Sequence, residues 1–496
     1  MNSLAARDAT MYWLSARTRN DLFLLYCFAD TGCDAERLRA AVANRVAGIP
    51  DLLIHVLDTP ANIAYPIWAA CEFTNDQFVE SDLTEATWAN VTAAVGGLLG
   101  TGLRANDRPW RLHVFRNVRE VPGFATGESA LVAVLQLSHA LADGRRAAVI
   151  ARALFGRSEL PAARGVRSSA PLSRRLLPDR IREAALSSLA ATLALPALPI
   201  AMARTVVRGL AAGRARQRLA ELTTAGALPP PAPDVEPAAL NGGGAVPVSH
   251  VVRMLVCDKH RLRVPDHSVT VVALTAVSLA LERYLGAPAP ALRAQVPMAI
   301  AADARNGYRD LSVDLALAEP LPRLRADRIA AELAARKVRA THPLQGAQDA
   351  VTAVLPAPLL YRDVAHAPID ALPERVSAHT VVSSVDRGPA DLEFGGGAVL
   401  FTAGFPALGA VMHLTHGVHG LGDTVTISVH ADPAVIPDPD RYAGLLESAL
   451  NEVACALREP EATGQPDGRG PGNAEGPGRT ESGRGLRARR IGDLNP

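Results

Sequence analysis

The sequence predicts an α/β fold built from two halves. The chain has 496 residues and 48% hydrophobic content, enough to bury two sizeable cores. Short apolar runs of strand length alternate with longer helix-like runs over residues 1–160, and the same mixture returns over 241–457. A stretch rich in arginine and proline separates them. We therefore expect an N-terminal domain at 1–160, a basic helical and Pro-rich linker at 161–240, a C-terminal domain at 241–457 and a disordered tail at 458–496.

Runs of aliphatic and aromatic residues predict the strands of the first half, and longer mixed runs predict its helices. The predicted strands are 22–28, 52–57, 112–115 and 131–137, and the predicted helices are 34–46, 85–99 and 145–155. The run 131–137, LVAVLQL, is apolar on both faces and is typical of a buried strand. The residues between it and the next helix therefore form a strand-to-helix junction.

The second half shows the same alternation. Strands are predicted at 251–256 and 294–298, and helices at 269–284 and 325–340.

The linker carries an unusual charge pattern. Residues 164–218 hold eleven arginines and enclose the uncharged stretch 184–203, which is long enough to cross a bilayer. Pro196 and Pro199 interrupt a single straight helix there. Two interpretations stay open: helices that contact a peripheral membrane or lipid-droplet surface, or helices that pack across both domains with solvated arginines.

Composition narrows the class of protein. The net charge of +1 lacks the basic excess typical of nucleic-acid binding, so we expect no nucleic-acid partner. The five cysteines are scattered, without metal-ligand spacing or a disulfide framework, which indicates a reducing compartment. The first residues have no apolar core of a signal peptide. We expect a cytoplasmic protein, with peripheral membrane association through the linker as the variant.

Two further patterns have structural alternatives. Three histidines at 413, 416 and 419 suggest a zinc site, but no cysteine or carboxylate accompanies them, and we favour a structural or tunnel-lining role. The glycine triplets at 242–244 and 395–397 lack the signature of phosphate loops and are expected to form turns. No Gly-x-Ser-x-Gly elbow is present, so a serine nucleophile is not indicated.

The hexapeptide HALADG at 139–144 follows the buried strand directly. Histidine titrates near neutral pH, so His139 at the end of a strand can accept the proton of an alcohol or amine. Asp143 is expected to fold back onto an arginine or a backbone amide and hold the turn. Gly144 is expected to allow a backbone conformation or a close approach that a side chain would forbid. The alternative is a histidine that merely caps a strand beside an Asp-Gly turn.

HxxxDG is the signature of the CoA-dependent acyltransferase superfamily, which includes chloramphenicol acetyltransferase, condensation domains of peptide synthetases and bacterial wax ester synthase/diacylglycerol acyltransferases (WS/DGAT). Weaker matches, in order, resemble the last family. Residues 107–113, DRPWRLH, resemble its Arg-Pro-Leu-Trp segment with one residue missing, and 240–242 resemble its Leu-Asn-Gly. Residues 295–298 are similar to its Val-Pro strand, and 381–389, VVSSVDRGP, to its Ser-Asn-Val-x-Gly-Pro turn with an insertion.

The resemblance implies two chloramphenicol-acetyltransferase-like mixed-sheet domains, a helical linker and an active-site tunnel at the domain interface. Two positions depart from the family: Ser138 replaces the first of two adjacent histidines, and Thr270-Val271 replaces an Asn-Asp pair on the acceptor side. We therefore expect a diverged substrate. The implied site consists of His139 as base, Asp143 and Gly144 as structural residues of the motif, and substrate contacts at Ser138, Pro109, Trp110 and Thr270.

The implied reaction is transfer of an acyl group from acyl-CoA to the hydroxyl of a fatty alcohol or diacylglycerol. It needs no metal, no cofactor beyond the acyl-CoA substrate, and no covalent enzyme intermediate. An alternative is an enzyme of specialised metabolism that takes its acyl group from CoA or a carrier-protein thioester and passes it to a polar or amine acceptor. A second alternative is a non-catalytic descendant that binds lipid or a partner. The complete HxxxDG motif counts against that descendant.

Overall fold

The computed structural model describes residues 2–123, 125, 127–156, 177–242, 249–286, 291–369 and 371–458, with no description of the side chains of 177–180. The predicted tail beyond Arg458 and the beginning of the basic segment, 164–176, lie outside the described residues.

The first half alternates strands and helices largely as predicted. Thr87 caps a helix that begins at Trp88, three residues later than predicted. Pro50–Leu52 forms a 3₁₀ turn, so the predicted strand at 52–57 begins only at Ile54. The elements are α1 (Ala6–Leu14), β1 (Leu22–Ala29), α2 (Ala35–Val46), β2 (Ile54–Leu57), β3 (Ile67–Ala70), β4 (Phe78–Glu80), α3 (Trp88–Leu99), β5 (Trp110–Val118), β6 (Ala130–Leu137) and α4 (Gly144–Phe155).

The linker and second half follow the same plan. The predicted strands and helices are present within a few residues of their expected limits, and further elements fill the intervals between them. They are α5 (Leu177–Ala194), α6 (Leu198–Thr224), β7 (Val251–Asp258), α7 (Lys259–Leu262), α8 (Val269–Leu285), β8 (Arg293–Ala299), β9 (Tyr308–Asp314), α9 (Pro322–Ala340), α10 (Gly346–Thr352), α11 (Ala357–His366), β10 (Thr380–Asp386), β11 (Glu393–Phe394), β12 (Gly397–Gly404), β13 (Leu414–Leu421), β14 (Thr424–Ala431) and α12 (Pro439–Arg458).

Two six-stranded mixed sheets organise the described residues, which confirms the predicted α/β class. The first has the strand order β11-β12-β1-β6-β5-β4, in which β4 and β5 are parallel and the other pairs antiparallel. The second has the order β7-β14-β13-β10-β8-β9, in which β10 runs parallel to both of its neighbours. A small ribbon of β2 and β3 lies beside them.

One strand from late in the sequence completes the first sheet. Strand β12 pairs with β1 so that Tyr26 lies opposite Thr402, although β12 falls within the predicted C-terminal domain. Gly397 begins β12, and a Cβ atom there would lie 1.8 Å from the carbonyl oxygen of Ala29, so only glycine fits this close approach. The crossing strand joins the two halves, and the predicted domain limits stay a prediction.

The described part of the linker forms two helices, joined by a short 3₁₀ turn. Helices α5 and α6 meet at an angle of 61° where Pro196 and Pro199 interrupt the backbone ladder. Within the described residues no single helix is long and apolar enough to cross a membrane, whereas this bent pair passes the same test of length and composition. The proline run at 229–233 has neither helix nor strand, as expected for an extended spacer.

Candidate active site

The HxxxDG segment lies at the predicted strand-to-helix junction. Strand β6 is buried along its whole length and ends at Leu137, two residues before His139, and α4 begins at Gly144. Asp143 is the N-cap of α4, because its side chain accepts a hydrogen bond from the backbone N–H of Arg146 at 2.9 Å. The cap fixes where the helix starts and therefore where the histidine loop ends.

Asp143 also connects the two halves of the chain. Its second carboxylate oxygen accepts a hydrogen bond of 2.9 Å from the backbone N–H of Gly307, in the loop between β8 and β9. The fold-back onto backbone amides predicted for this residue is therefore present. The neighbouring arginines bind elsewhere, since Arg146 and Arg305 both contact the carboxylate of Asp51.

The reason proposed for Gly144 needs correction. Its φ is not positive, and a Cβ atom built there would meet only a methyl group of Val385 at 3.7 Å, an ordinary contact. Nothing in the described part of the chain therefore requires glycine at this position. The close approach of a substrate to Gly144 stays a prediction.

Asn306 fixes the hydrogen position on the imidazole. Its Oδ1 lies 2.7 Å from Nδ1 of His139, and its Nδ2 donates back to the carbonyl oxygen of His139 at 2.8 Å. Nδ2 also donates to the carboxylate of Asp8 at 2.9 Å. Because both contacts of Nδ2 are to acceptors, the amide cannot be flipped, and Oδ1 must accept from Nδ1–H. Nε2 of His139 consequently carries the lone pair.

Asp8 holds this arrangement from the N-terminal helix α1. It is 2% exposed and accepts hydrogen bonds of 3.0 Å from the backbone N–H groups of both Arg305 and Asn306. Asn306 and Asp8 were not predicted as site residues. The Asn-Gly pair at 306–307 is a turn signal after a strand, but nothing local indicated that this turn meets His139.

Burial sets the protonation of the groups around the imidazole. Burial lowers the pKa of His139, opposed by the bond to Asn306 and by the charges of Asp143 and Asp310, so the ring is neutral at neutral pH. Tyr308, whose ring centroid lies 6.0 Å from that of His139, has its pKa raised to about 12 by burial and nearby carboxylates. It therefore stays a phenol and a hydrogen-bond donor. Burial also raises the pKa of Asp310.

Most of the predicted substrate contacts occupy core positions instead. Trp110 is fully enclosed, stacks on Phe73 and donates its indole N–H to the carbonyl oxygen of Leu52 at 2.8 Å. Ser138 is also fully buried, with its backbone N–H bonded to the carbonyl oxygen of Pro109 at 2.8 Å, and Pro109 is buried as well. Their visible role is packing and holding the strand end, because none of the three presents surface to a substrate.

Thr270 lies differently. It is partly exposed at the start of α8, and its hydroxyl donates to Ser384 Oγ on β10 at 3.1 Å. The next residue of β10, Val385, is the one that approaches Gly144. Thr270 and Gly144 of the motif therefore both contact β10, a strand of the second half.

The three histidines of β13 and its approach have separate partners. His413 bonds to Asp432 at 2.7 Å, and His416 bonds to the hydroxyl of Tyr442 at 2.7 Å. His419 is buried beside Arg387, which, with burial, lowers its pKa. No group of metal-binding side chains forms among the residues that the structure describes. Gly395 and Gly396 form the turn between β11 and β12 with positive φ angles, and Gly397 is the first residue of β12.

Comparison with known families bears on this geometry. The family model described as the WS/DGAT C-terminal domain matches residues 308–454, from β9 into α12. Residues 308–454 therefore match the C-terminal domain of this family, which confirms the resemblance for the second half of the chain. The match begins one residue after Gly307, so the HxxxDG segment itself lies outside it. A comparison with curated protein sequences finds no match.

Solved structures share the fold of this chain over almost its whole length. The wax ester synthase/diacylglycerol acyltransferase of Marinobacter aquaeolei VT8 aligns with a TM-score of 0.58 and 17% identity, covering 92% of this chain and all (100%) of that one. A mutant starter condensation domain of rhizomide synthetase in complex with C8-CoA aligns with a TM-score of 0.54 and 13% identity, covering 92% and 96%. The first condensation domain of the calcium-dependent antibiotic synthetase aligns with a TM-score of 0.53 and 15% identity, covering 93% and 98%. The chain therefore has the acyltransferase-type fold of both groups.

Proposed function

We propose that the protein is an O-acyltransferase that moves an acyl group from acyl-CoA to the hydroxyl of a fatty alcohol or diacylglycerol, with His139 as general base. The observation that carries the proposal is the bond between Nδ1 of His139 and Asn306, at 2.7 Å, which leaves the lone pair on Nε2. A neutral imidazole with a fixed tautomer is the state that a general base requires.

In the proposed reaction Nε2 takes the proton of the acceptor hydroxyl while the oxygen attacks the thioester carbon. The tetrahedral oxyanion then collapses, the carbon–sulfur bond breaks, and the CoA thiolate receives the proton from Nε2. The products are an ester and free CoA, with no covalent enzyme intermediate and no cofactor. General-base assistance of this kind contributes on the order of 10² to 10⁴ in rate, and holding both substrates together adds a comparable factor.

Tyr308 is the donor that we propose for the oxyanion. It is a phenol at neutral pH and its ring lies 6.0 Å from the imidazole, between centroids. Two other hydroxyls of the site are less suited to this role, because Ser138 is fully buried and Thr270 donates to Ser384. A donor aimed at the developing charge supplies about 3 kcal/mol in known acyl-transfer enzymes.

A second candidate function is acyl transfer to a polar or amine acceptor, as in specialised metabolism. Two observations favour it: the starter condensation domain aligns nearly as well as the acyltransferase, at TM-scores of 0.54 and 0.58, and other crystals of that domain contain C8-CoA with Leu-SNAC. The departures at Ser138 and Thr270 also point away from a typical lipid acceptor.

Thiol release tests both functions. We would follow it from short- and long-chain acyl-CoAs with and without hexadecanol, diacylglycerol or simple amines, for the native chain, His139→Ala and the control His366→Ala. His366 is exposed on α11 and remote in sequence from the motif. We expect hydroxyl-dependent release that disappears only in His139→Ala. Release with amines alone would select the second function, and no release with any acyl-CoA or carrier thioester would contradict both.

A further inference from the structure

The exposed apolar side chains of this protein are concentrated on the linker helices. Sixteen large hydrophobic residues are exposed among those that the structure describes, and ten of them lie between residues 181 and 210 on α5, α6 and the turn between them. Val207 is 65% exposed, Leu210 61% and Leu193 59%. Exposed apolar residues concentrated in this way are typical of an interaction site.

These apolar residues are not the ones that hold the helices to the body. Helix α6 packs inward through small side chains and one leucine, namely Ala212, Ala215 and Leu219. The hydroxyl of Thr205 donates to the carbonyl oxygen of Val354 at 3.1 Å, and Arg339 bonds to Thr223 at 2.9 Å. Through these contacts α6 lies on the protein body, with most of its large apolar side chains facing outward.

The charge of the same surface is mostly positive, with Glu183 as the one carboxylate between residues 181 and 220. From residue 184 to 220 the sequence contains five arginines and no aspartate or glutamate. Arg218 pairs with Glu221 at 2.8 Å. The other four have no carboxylate partner within the described residues: Arg204, Arg208, Arg214 and Arg216. The surface therefore has an apolar elbow at 193–202 and a basic arm along α6.

An apolar cavity continues this surface inward. It has a volume of about 380 Å³ and lies under the elbow, between Leu193 and Leu198 of the linker and Tyr65 and Leu355 of the body. Its lining is aliphatic apart from Ser3 and Tyr65, and it does not include His139. At the 61° bend, α5 and α6 thus cover an apolar cavity on their inner side and expose apolar side chains on their outer side.

We propose that α5 and α6 form a docking surface for an anionic phospholipid membrane. The elbow side chains Leu195 and Ile200 enter the boundary between headgroups and acyl chains, and the arginines of α6 contact lipid phosphates. Apolar insertion next to several unpaired arginines is the combination that interfacial helices use on anionic bilayers. This inference does not depend on the reaction at His139.

Co-sedimentation of the full chain with vesicles tests the surface. Vesicles of phosphatidylcholine are compared with vesicles that also contain phosphatidylglycerol. We expect binding to the anionic vesicles that is weakened on the order of 100-fold by combining R204Q, R208Q and R214Q, since each arginine near such a surface contributes about one kcal/mol. Combining Leu195→Ser with Ile200→Ser should weaken binding by about 10-fold or more.

Matched controls come from other exposed positions. Leu321, the N-cap of α9, and Leu324 on α9 are 57% and 45% exposed, close to the 50% and 58% of Leu195 and Ile200. Two control variants should leave vesicle binding unchanged. The first combines Leu321→Ser with Leu324→Ser. The second replaces three exposed arginines together, Arg37→Gln, Arg263→Gln and Arg362→Gln. Three results would overturn the proposal. The chain could bind neutral and anionic vesicles equally, or the control variants could lose as much binding as the test variants. The chain could also be a dimer that only the elbow variant dissociates, with vesicle binding unchanged.

Discussion

Asn306→Ala should weaken general-base catalysis by His139 while the imidazole itself stays in place. The change deletes three side-chain hydrogen bonds, of 2.7 and 2.8 Å to His139 and of 2.9 Å to Asp8. Neutral hydrogen bonds contribute about 1 kcal/mol each and a bond to a carboxylate about 2. The two bonds to His139 therefore stabilise its tautomer and position by about 2 kcal/mol, and their loss should lower kcat/KM by roughly 10- to 100-fold. The free energy of unfolding should fall by about 4 kcal/mol in all.

Thiol release from a long-chain acyl-CoA with hexadecanol measures the loss, with urea unfolding beside it. Asn90→Ala is the control, because Asn90 is exposed on α3 and its side-chain amide makes one bond, of 2.8 Å, to the carbonyl oxygen of Glu85. Since Asn306 raises the pKa of His139, the variant should also move the acid limb of kcat/KM to lower pH. Native kcat/KM with an unmoved acid limb would refute the role given to Asn306.

Three further predictions concern charge. Asp143→Asn keeps one acceptor oxygen but loses the carboxylate that the backbone N–H groups of Arg146 and Gly307 share. We therefore expect the free energy of unfolding in urea to fall by about 1–2 kcal/mol and thiol release to be reduced but not abolished. Full activity and full stability would show that the scaffold role is wrong. Burial lowers the pKa of His139, so the base stays unprotonated to a lower pH than an ordinary histidine. We expect kcat/KM to stay constant as the pH falls from neutral and to decrease only below the ordinary histidine pKa of about 6.5. A decrease that begins at or above that pH would contradict this reasoning. Burial raises the pKa of Asp21 to about 6, so its contribution to stability is complete below about pH 4 and is lost as pH rises towards 6. The unfolding free energies of the native chain and Asp21→Asn should diverge by about 3 kcal/mol across that interval, and a constant difference would count against the assignment.

The sequence predicted the parts of the site that are local. A buried strand, a histidine and an Asp-Gly pair that starts a helix lie within 131–155, and strand burial and helix capping act over such distances. Asn306 could not be found in this way, because its partners are 167 and 298 residues away in the chain. Only the packing of α1 and the β8–β9 loop against the histidine loop brings them together.

Trp110 and Ser138 were predicted as substrate contacts but are buried in the core. A family motif suggested substrate contact for both, but a motif does not say on which face of a strand a side chain lies. Trp110 is the first residue of β5 and points into the core, where its indole N–H finds a backbone acceptor. Burial, which depends on the completed sheet, decided their role.

The crossing of β12 has a consequence for how the protein is made. Strand β1 leaves the ribosome long before β12, yet the hydroxyl of Thr402 on β12 bonds to the carbonyl oxygen of Leu25, 377 residues away in the chain. Until β12 has been translated, one edge of β1 has open N–H and C=O groups that can pair with another nascent chain. A fragment that stops at the linker would carry HxxxDG on an unfinished sheet. The ribosome therefore has to deliver most of the sequence before the first sheet of the protein can close.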